Sequence, residues 1–148
     1  MIESRNLADL LPIVTGHAIA AIAAAEMQTQ LKIIVVATFR DDEMQAKYYS
    51  QGRGGNPGRI ITNDPGPGGP HSLRVALDIA PAIKRPDTGK YVLYYETTDW
   101  ELIADCFKLE GFIWGGDWKI KDKPHFQWTK YQSLAEIRNG AEVYDPND

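Results

Sequence analysis

Apolar residues in the first part of the chain recur at helical spacing. Leu7, Leu10, Leu11, Val14, Ala18, Ile22 and Ala25 fall three or four positions apart, so a helix from about Asn6 to Met27 carries them on one face. His17 lies beside that face and reads as a boundary or core histidine. The period then changes. Lys32 to Phe39 is a β-branched run of the kind that forms a buried strand. Asp41 or Asp42 is placed to cap a second helix running to about Ser50. Alternation from Leu73 to Ala80 predicts a second strand, with Leu73, Val75, Leu77 and Ile79 on one face and Arg74, Ala76 and Asp78 on the other. A third strand is expected over Lys90–Glu96. Thr98 and Glu101 have capping-box spacing for a helix that ends at Gly111. Phe112–Trp114 and His125–Trp128 are short strand candidates, and Ser133 with Glu136 repeats the capping-box spacing for a last helix to Arg138.

Between the second helix and second strand, Gly52 to Pro70 holds seven glycines and four of the nine prolines, a composition that no regular element survives. A loop of that length is either functional or a plain surface connection. Helices and short strands mix without a repeating βαβ unit, which predicts an α+β fold with a small antiparallel sheet. The 148 residues fit one domain, residues 1–148, without an internal repeat or linker.

Composition removes several classes of function. A net charge of -4, without a cluster of Lys and Arg, argues against nucleic acid as a partner. The single cysteine, Cys106, excludes an internal disulfide and any Cys-rich metal site. Leu10 to Ala25 is not read as a signal peptide, because Glu3 and Asp9 stand where such a segment carries positive charge and His17 interrupts it. It is also short and Ala-rich for a membrane span, so no stable membrane association is expected.

Two of the three histidines stand beside acids in strand-and-turn contexts. His71 precedes Asp78 by an odd separation, which a regular strand places on opposite faces. The two share a metal only if the chain bends near Ser72; otherwise they form a hydrogen-bonded structural pair or none. Pro124 biases Lys123 toward extended backbone, so His125 opens a strand with Gln127 on its side and Phe126 facing the core. Asp122 is close enough to reach the same space. Two imidazoles and one carboxylate make a reasonable zinc set with a fourth position left for water, and a second carboxylate can take a proton from that water.

These residues carry a resemblance. His71, Ala76 and Asp78 match the first motif of the zinc peptidases that include L-alanyl-D-glutamate endopeptidases and D-alanyl-D-alanine carboxypeptidases. The stretches Trp114 to Trp118 and Asp122 to Gln127 match the second, and Phe39-Arg40, Gln45, Tyr49 and Gln51-Gly-Arg53 look like an upstream segment of the same family. The resemblance implies the hedgehog/D-Ala-D-Ala metallopeptidase fold and Zn2+ held by His71, Asp78 and His125. It further implies Asp122 as general base toward zinc-bound water and Arg40 as the residue that polarises the scissile carbonyl or holds the substrate. Read from the sequence alone, Arg40 is an ordinary strand-end arginine pairing with Asp41 or Asp42. The implied substrate is a peptidoglycan stem peptide, cut at the L-Ala-D-Glu bond by a monomeric, endolysin-type enzyme. That enzyme resides in the host cytoplasm until release and acts on the cell wall. A D-Ala-D-Ala carboxypeptidase or dipeptidase, and a zinc-containing binding domain of the hedgehog kind, are the other readings. Two positions depart from the family: its Ser is Gly69 here and its Gly is Arg74. Arg74 is left with three destinations, the substrate groove, an acid such as Asp117, or solvent.

Overall fold

The structure, a computed structural model, describes residues 1–148. The long helix α1 spans Pro12–Thr29, later than the apolar spacing alone predicts. Pro12 has no N–H to lose in the first turn, and it holds the preceding Leu11 in extended backbone, so the helix starts there. Leu7–Asp9 form a separate 3₁₀ turn, capped by the Asn6 side chain accepting from the Ala8 N–H. The buried stripe of α1 is Val14, Ala18, Ala21 and Ala25, continued by Leu10 just ahead of it and flanked by half-buried Leu7, Leu11 and Ile22. Small residues on that stripe let α1 lie close against helix α3, Trp100–Leu109.

The sheet is antiparallel throughout, in the order β1 (Lys32–Ala37), β2 (Ala76–Lys84), β5 (His125–Gln127), β4 (Ile113–Trp114). The short strand β3, Tyr91–Leu93, covers only part of Lys90–Glu96 and pairs with the far end of β2. One sheet face carries the core: Leu77 and Ile79 of β2 and Phe126 of β5 pack with Ile103 and Phe107 of α3. Phe126 stacks on Phe107 with ring centroids 4.1 Å apart. Burying a ring of that size contributes on the order of 2–3 kcal/mol, which anchors β5 although it is three residues long.

Strand β2 starts at Ala76 rather than Leu73, because Gly69 to Arg74 form a tight turn. The Leu73 N–H donates to Gly69 O at 3.0 Å and the Val75 N–H to Pro70 O at 3.1 Å. Arg74 closes this turn in the left-handed region, at φ 63°. A glycine reaches that conformation without cost, whereas a side chain costs about 1 kcal/mol. Arg74 adopts this conformation at the position where the sequence resemblance implies glycine.

The remaining helices are α2, Asp42–Ser50, and α4, Leu134–Arg138. Asp41 caps α2 by accepting from the Met44 N–H, and Ser133 with Glu136 forms the reciprocal capping box on α4. The Thr98–Glu101 box does not form. Asp99 occupies the cap position of α3 without a side-chain bond, and Thr97 accepts the Asp99 N–H instead.

Candidate metal centre

Asp78 is the third residue of β2, the strand that pairs with both β1 and β5, directly opposite His125 on β5 and Ala37 on β1. Its side chain leaves the sheet face away from Phe126, toward the loops. The turn at Gly69–Arg74 brings His71 back over the same face, which supplies the bend that the odd spacing required. His71 Nε2 lies 3.4 Å from Asp78 Oδ2, and His125 Nδ1 lies 3.2 Å from Asp78 Oδ1. One ligand atom from each of the three residues falls within 4.8 Å of the others.

Each imidazole is oriented from behind. His71 Nδ1 is 2.8 Å from the Thr38 carbonyl, so it carries the proton and leaves Nε2 free for the centre. His125 Nε2 is 2.8 Å from Gln127 Oε1, whose amide in turn donates to Thr129 Oγ1 at 2.8 Å. That leaves Nδ1 as the inward nitrogen of His125. Outer partners of this kind fix the tautomer and ring orientation of a metal-binding histidine. The donor set of two neutral nitrogens and one carboxylate suits zinc with an open position.

Burial alone would raise the Asp78 carboxyl, but the two imidazoles beside it hold it well below the usual carboxylate range. Burial disfavours the charged form of His125, and its contacts with Asp78 outweigh that and raise it above its ordinary value. Asp122 is exposed to the groove as a residue, yet the protein around its carboxyl, with Asp78 adding to the effect, raises it against the pull of His125. A carboxyl displaced upward in this way holds a proton more readily than an ordinary aspartate, the direction that suits a group exchanging protons with water.

Asp122 is held beside His125 by the turn Gly115–Asp117. Its N–H donates to Gly115 O at 2.9 Å, and its carbonyl accepts from the His125 N–H at 3.2 Å. No side chain fits at Gly115, where a Cβ would stand 2.4 Å from the Asp122 carbonyl oxygen. At Gly116 a Cβ would enter the Trp114 indole, whose N–H donates to the Lys123 carbonyl at 2.8 Å. The two glycines of this stretch thus let the chain press onto the Asp122–His125 segment. Trp118 lies over His125 with ring centroids 5.2 Å apart.

Arg40 does not pair with Asp41 or Asp42, which serve α2 and the loop. Its Nη2 reaches Glu3 at 3.2 Å and lies 3.8 Å from Asp78, and its Nη1 donates to Gln45 Oε1 at 2.9 Å. Tyr48 lies under the guanidinium and donates its hydroxyl to Glu3. Glu3 and Tyr48 carry no signal in the sequence, because only the β-bridge between Glu3 and Arg40 brings the first residues to this site. Gln45, Tyr49 and Arg53 serve the loop. Gln45 donates to Asp64 O at 2.8 Å, and Arg53 stacks on Tyr49 while donating to Thr62 O at 3.0 Å.

The two departures from the family pattern have structural explanations. Arg74 takes none of its three expected destinations: it donates to Asp9 O at 2.7 Å and stacks on Phe39, behind the centre. Asp117 pairs instead with Lys108 at 2.7 Å. At Gly69 the space a side chain would fill is taken, since a Cβ there would stand 2.4 Å from Asp64 Oδ2. A groove of about 1340 Å³ lies over the centre, lined by the Ile60–Pro65 loop, Arg40, Tyr95 and the Trp118–Asp122 segment.

The α+β sheet brings His71, Asp78 and His125 into a cluster that could hold a metal ion, and comparison with known proteins places the chain among peptidases. The family model described as D-alanyl-D-alanine carboxypeptidase matches residues 62–128, which contain all three candidate ligands and Asp122. The chain is 33% identical over 125 residues to the peptidoglycan L-alanyl-D-glutamate endopeptidase CwlK of Bacillus subtilis (strain 168), covering 80% of this chain and 73% of that protein. The chain belongs to the M15 peptidase family. Its fold is that of the Serratia marcescens L-Ala D-Glu endopeptidase ChiX, at TM-score 0.53 and 22% identity over 84% of each chain.

Proposed function

We propose that this chain is a zinc endopeptidase that hydrolyses the L-Ala-D-Glu bond of peptidoglycan stem peptides, acting as one catalytic unit on the cell wall in the manner of an endolysin. The observation that carries the reading is the convergence of His71 Nε2, Asp78 and His125 Nδ1, each imidazole with its other nitrogen already engaged. The 33% identity to CwlK favours the endopeptidase bond over the carboxypeptidase one. No helix is long and apolar enough to cross a membrane.

His71, Asp78 and His125 would hold the zinc. Zinc in a three-ligand site supplies Lewis acidity, which acidifies water and polarises a carbonyl. Asp122 removes a proton from the attacking water as its oxygen bonds to the carbonyl carbon of L-Ala. The same carboxyl then delivers that proton to the D-Glu nitrogen as the C–N bond breaks, leaving a carboxylic acid and an amine, and the second proton of the water passes from the acid to the amine to give carboxylate and ammonium. Its raised affinity for the proton suits both halves of this cycle. Arg40, held by Glu3 and Gln45 next to Asp78, places positive charge where the carbonyl oxygen becomes negative. A single donor of that kind lowers the barrier by about 2.7–4 kcal/mol in other enzymes.

Metal analysis of the purified protein, with chromatography of stem-peptide products before and after chelation, tests this reading. Stoichiometric zinc and a new N-terminal D-Glu are expected. Release of free D-Ala instead would identify a carboxypeptidase, the description carried by the matching family model. Full turnover by Asp122→Ala would remove Asp122 from the mechanism, and a zinc-loaded protein with no turnover on any stem peptide would point to a binding domain.

A further inference from the structure

Of the four carboxylates that line the groove, three have roles. Glu3 braces Arg40 and Tyr48, Asp78 joins the two imidazoles, and Asp122 stands beside His125 as the proposed base. Asp64 is the fourth. Its main chain is tied down by a bond from its N–H to Thr62 Oγ1 at 3.1 Å and by the Gln45 amide donating to its carbonyl at 2.8 Å. One side-chain oxygen, Oδ1, accepts the Gly66 N–H at 2.9 Å. The other, Oδ2, has no hydrogen-bond or ion-pair partner and lies against Gly69, two residues before His71. With no side chain at Gly69, the space that one would fill is held by the Asp64 carboxylate.

The opposite wall has the other sign. Lys119 and Lys121 line the groove on the Asp122 side, and neither is paired with an acid. The groove therefore carries an unpartnered carboxylate near His71, where Arg40 is already held by Glu3, and two lysines near Asp122. Its electrostatic complement is a peptide with an ammonium at one end and carboxylates toward the other.

We propose that Asp64 is a specificity-determining residue whose Oδ2 takes a primary ammonium of the substrate. This rests on the reading of the chain as a stem-peptide endopeptidase and adds which stem peptides it prefers. Two amines can supply the ammonium: the N-terminus of a stem peptide already freed from its sugar, or the side chain of a diamino acid further along it. The first source places the enzyme after an amidase-type hydrolysis that releases the peptide, and the second is compatible with intact wall.

The test compares zinc-loaded wild type with Asp64→Asn on three stem peptides: unmodified, N-terminally acetylated, and acetylated on the diamino-acid side chain. Asparagine keeps the oxygen that accepts the Gly66 N–H, so the loop is retained. In wild type one acetylation is expected to lower kcat/KM by about tenfold or more, the usual scale for losing one charged hydrogen bond. In Asp64→Asn the same acetylation should cost less than about twofold, and which acetylation matters identifies the amine. A double variant, Asp64→Ala with Gly69→Ser, should cleave the acetylated peptides and lose the preference. Acetylation costs that are equal in wild type and Asp64→Asn, or absent in both, overturn the assignment of Asp64 while leaving the endopeptidase reading intact. Failure of the zinc-loaded wild type to cleave any of the three peptides overturns that reading and Asp64's role with it.

Discussion

Replacing Gly115 by alanine displaces the proposed base without changing any side chain assigned to the reaction. An alanine Cβ would lie 2.4 Å from the Asp122 carbonyl oxygen, 3.1 Å from the Asp122 Cβ and 3.2 Å from the His125 Cβ. Ordinary contact begins near 3.4 Å, so the Asp122 main chain must retreat by about 1 Å, whereas His125 needs only tenths of an ångström. The obstructing atom is backbone, already bonded to the His125 N–H, so no side-chain rotation relieves the contact. A misplacement of about 1 Å in a catalytic group costs roughly 10²-fold in rate. Overpacking costs stability too, by about 1–3 kcal/mol. The measurement is kcat/KM on a stem peptide, with zinc content and thermal unfolding of the same preparation. Gly115→Ala is expected to stay folded, retain zinc and lose about two orders of magnitude in kcat/KM. Activity within twofold of wild type in a folded, zinc-loaded sample would refute the link between Asp122's position and turnover. Loss of zinc in step with activity would shift the effect from the base to His125.

Four other outcomes follow from the geometry. Gln127→Leu leaves the His125 Nε2 proton without its acceptor, and zinc affinity measured against a competing chelator should fall about 10–100-fold. Phe126→Ala removes the ring stacked on Phe107, and denaturant unfolding should show a loss of about 3–5 kcal/mol. Arg74→Gly relieves left-handed backbone but forfeits the bond to Asp9 O, so stability should change by no more than about 1 kcal/mol with kcat/KM unaltered. In metal-free protein the Asp78–His125 pair sets the pH dependence of unfolding. Asp78 is held below its ordinary 3.8, so its contribution is present above that pH and fades as pH falls through the lowered value. His125 is held above its ordinary 6.5, so its contribution is full below that pH and is lost as pH rises through the raised value. Thermal scans of chelated protein should therefore peak between those values, and a melting temperature that keeps rising from pH 6 to 8 would contradict the pairing.

How much of this was legible depended on whether a residue's neighbours were local. The strand starting at Lys32, expected to Phe39 and observed to Ala37, the α2 cap, expected at Asp41 or Asp42 and found at Asp41, and the Ser133–Glu136 box all depend on nearby chain, which the sequence pattern carries. The Thr98–Glu101 pattern looked equivalent and failed. Its cap residue, Asp99, has φ -94° and ψ 9°, whereas Ser133 has the extended φ -68° and ψ 158° that aims a cap side chain at the helix. Alternation of Leu73, Val75 and Leu77 predicts a start for β2 three residues ahead of the observed Ala76, because it does not reveal the turn that Arg74 closes. The three candidate ligands and Asp122 were reached through motifs. What orients and surrounds them was not. Thr38 acts through a backbone carbonyl, which any residue possesses, and Glu3 arrives by a bridge from the far end of the chain. Asp64 reads in sequence as one more turn residue, and only the contact with Gly69 distinguishes it.

The placement of the three ligands has a mechanical side. His71, Asp78 and His125 come from the turn before β2, from β2 itself and from β5, and the chain between the last two contains β3, α3 and β4. A metal held at this point would act as a cross-link that closes a loop around half of the core, in a chain whose single cysteine is buried and has no partner for a disulfide. Unlike a disulfide, such a clasp opens when a chelator or acid takes the ion away. The metal supply would then set the lifetime of the folded chain as well as its activity.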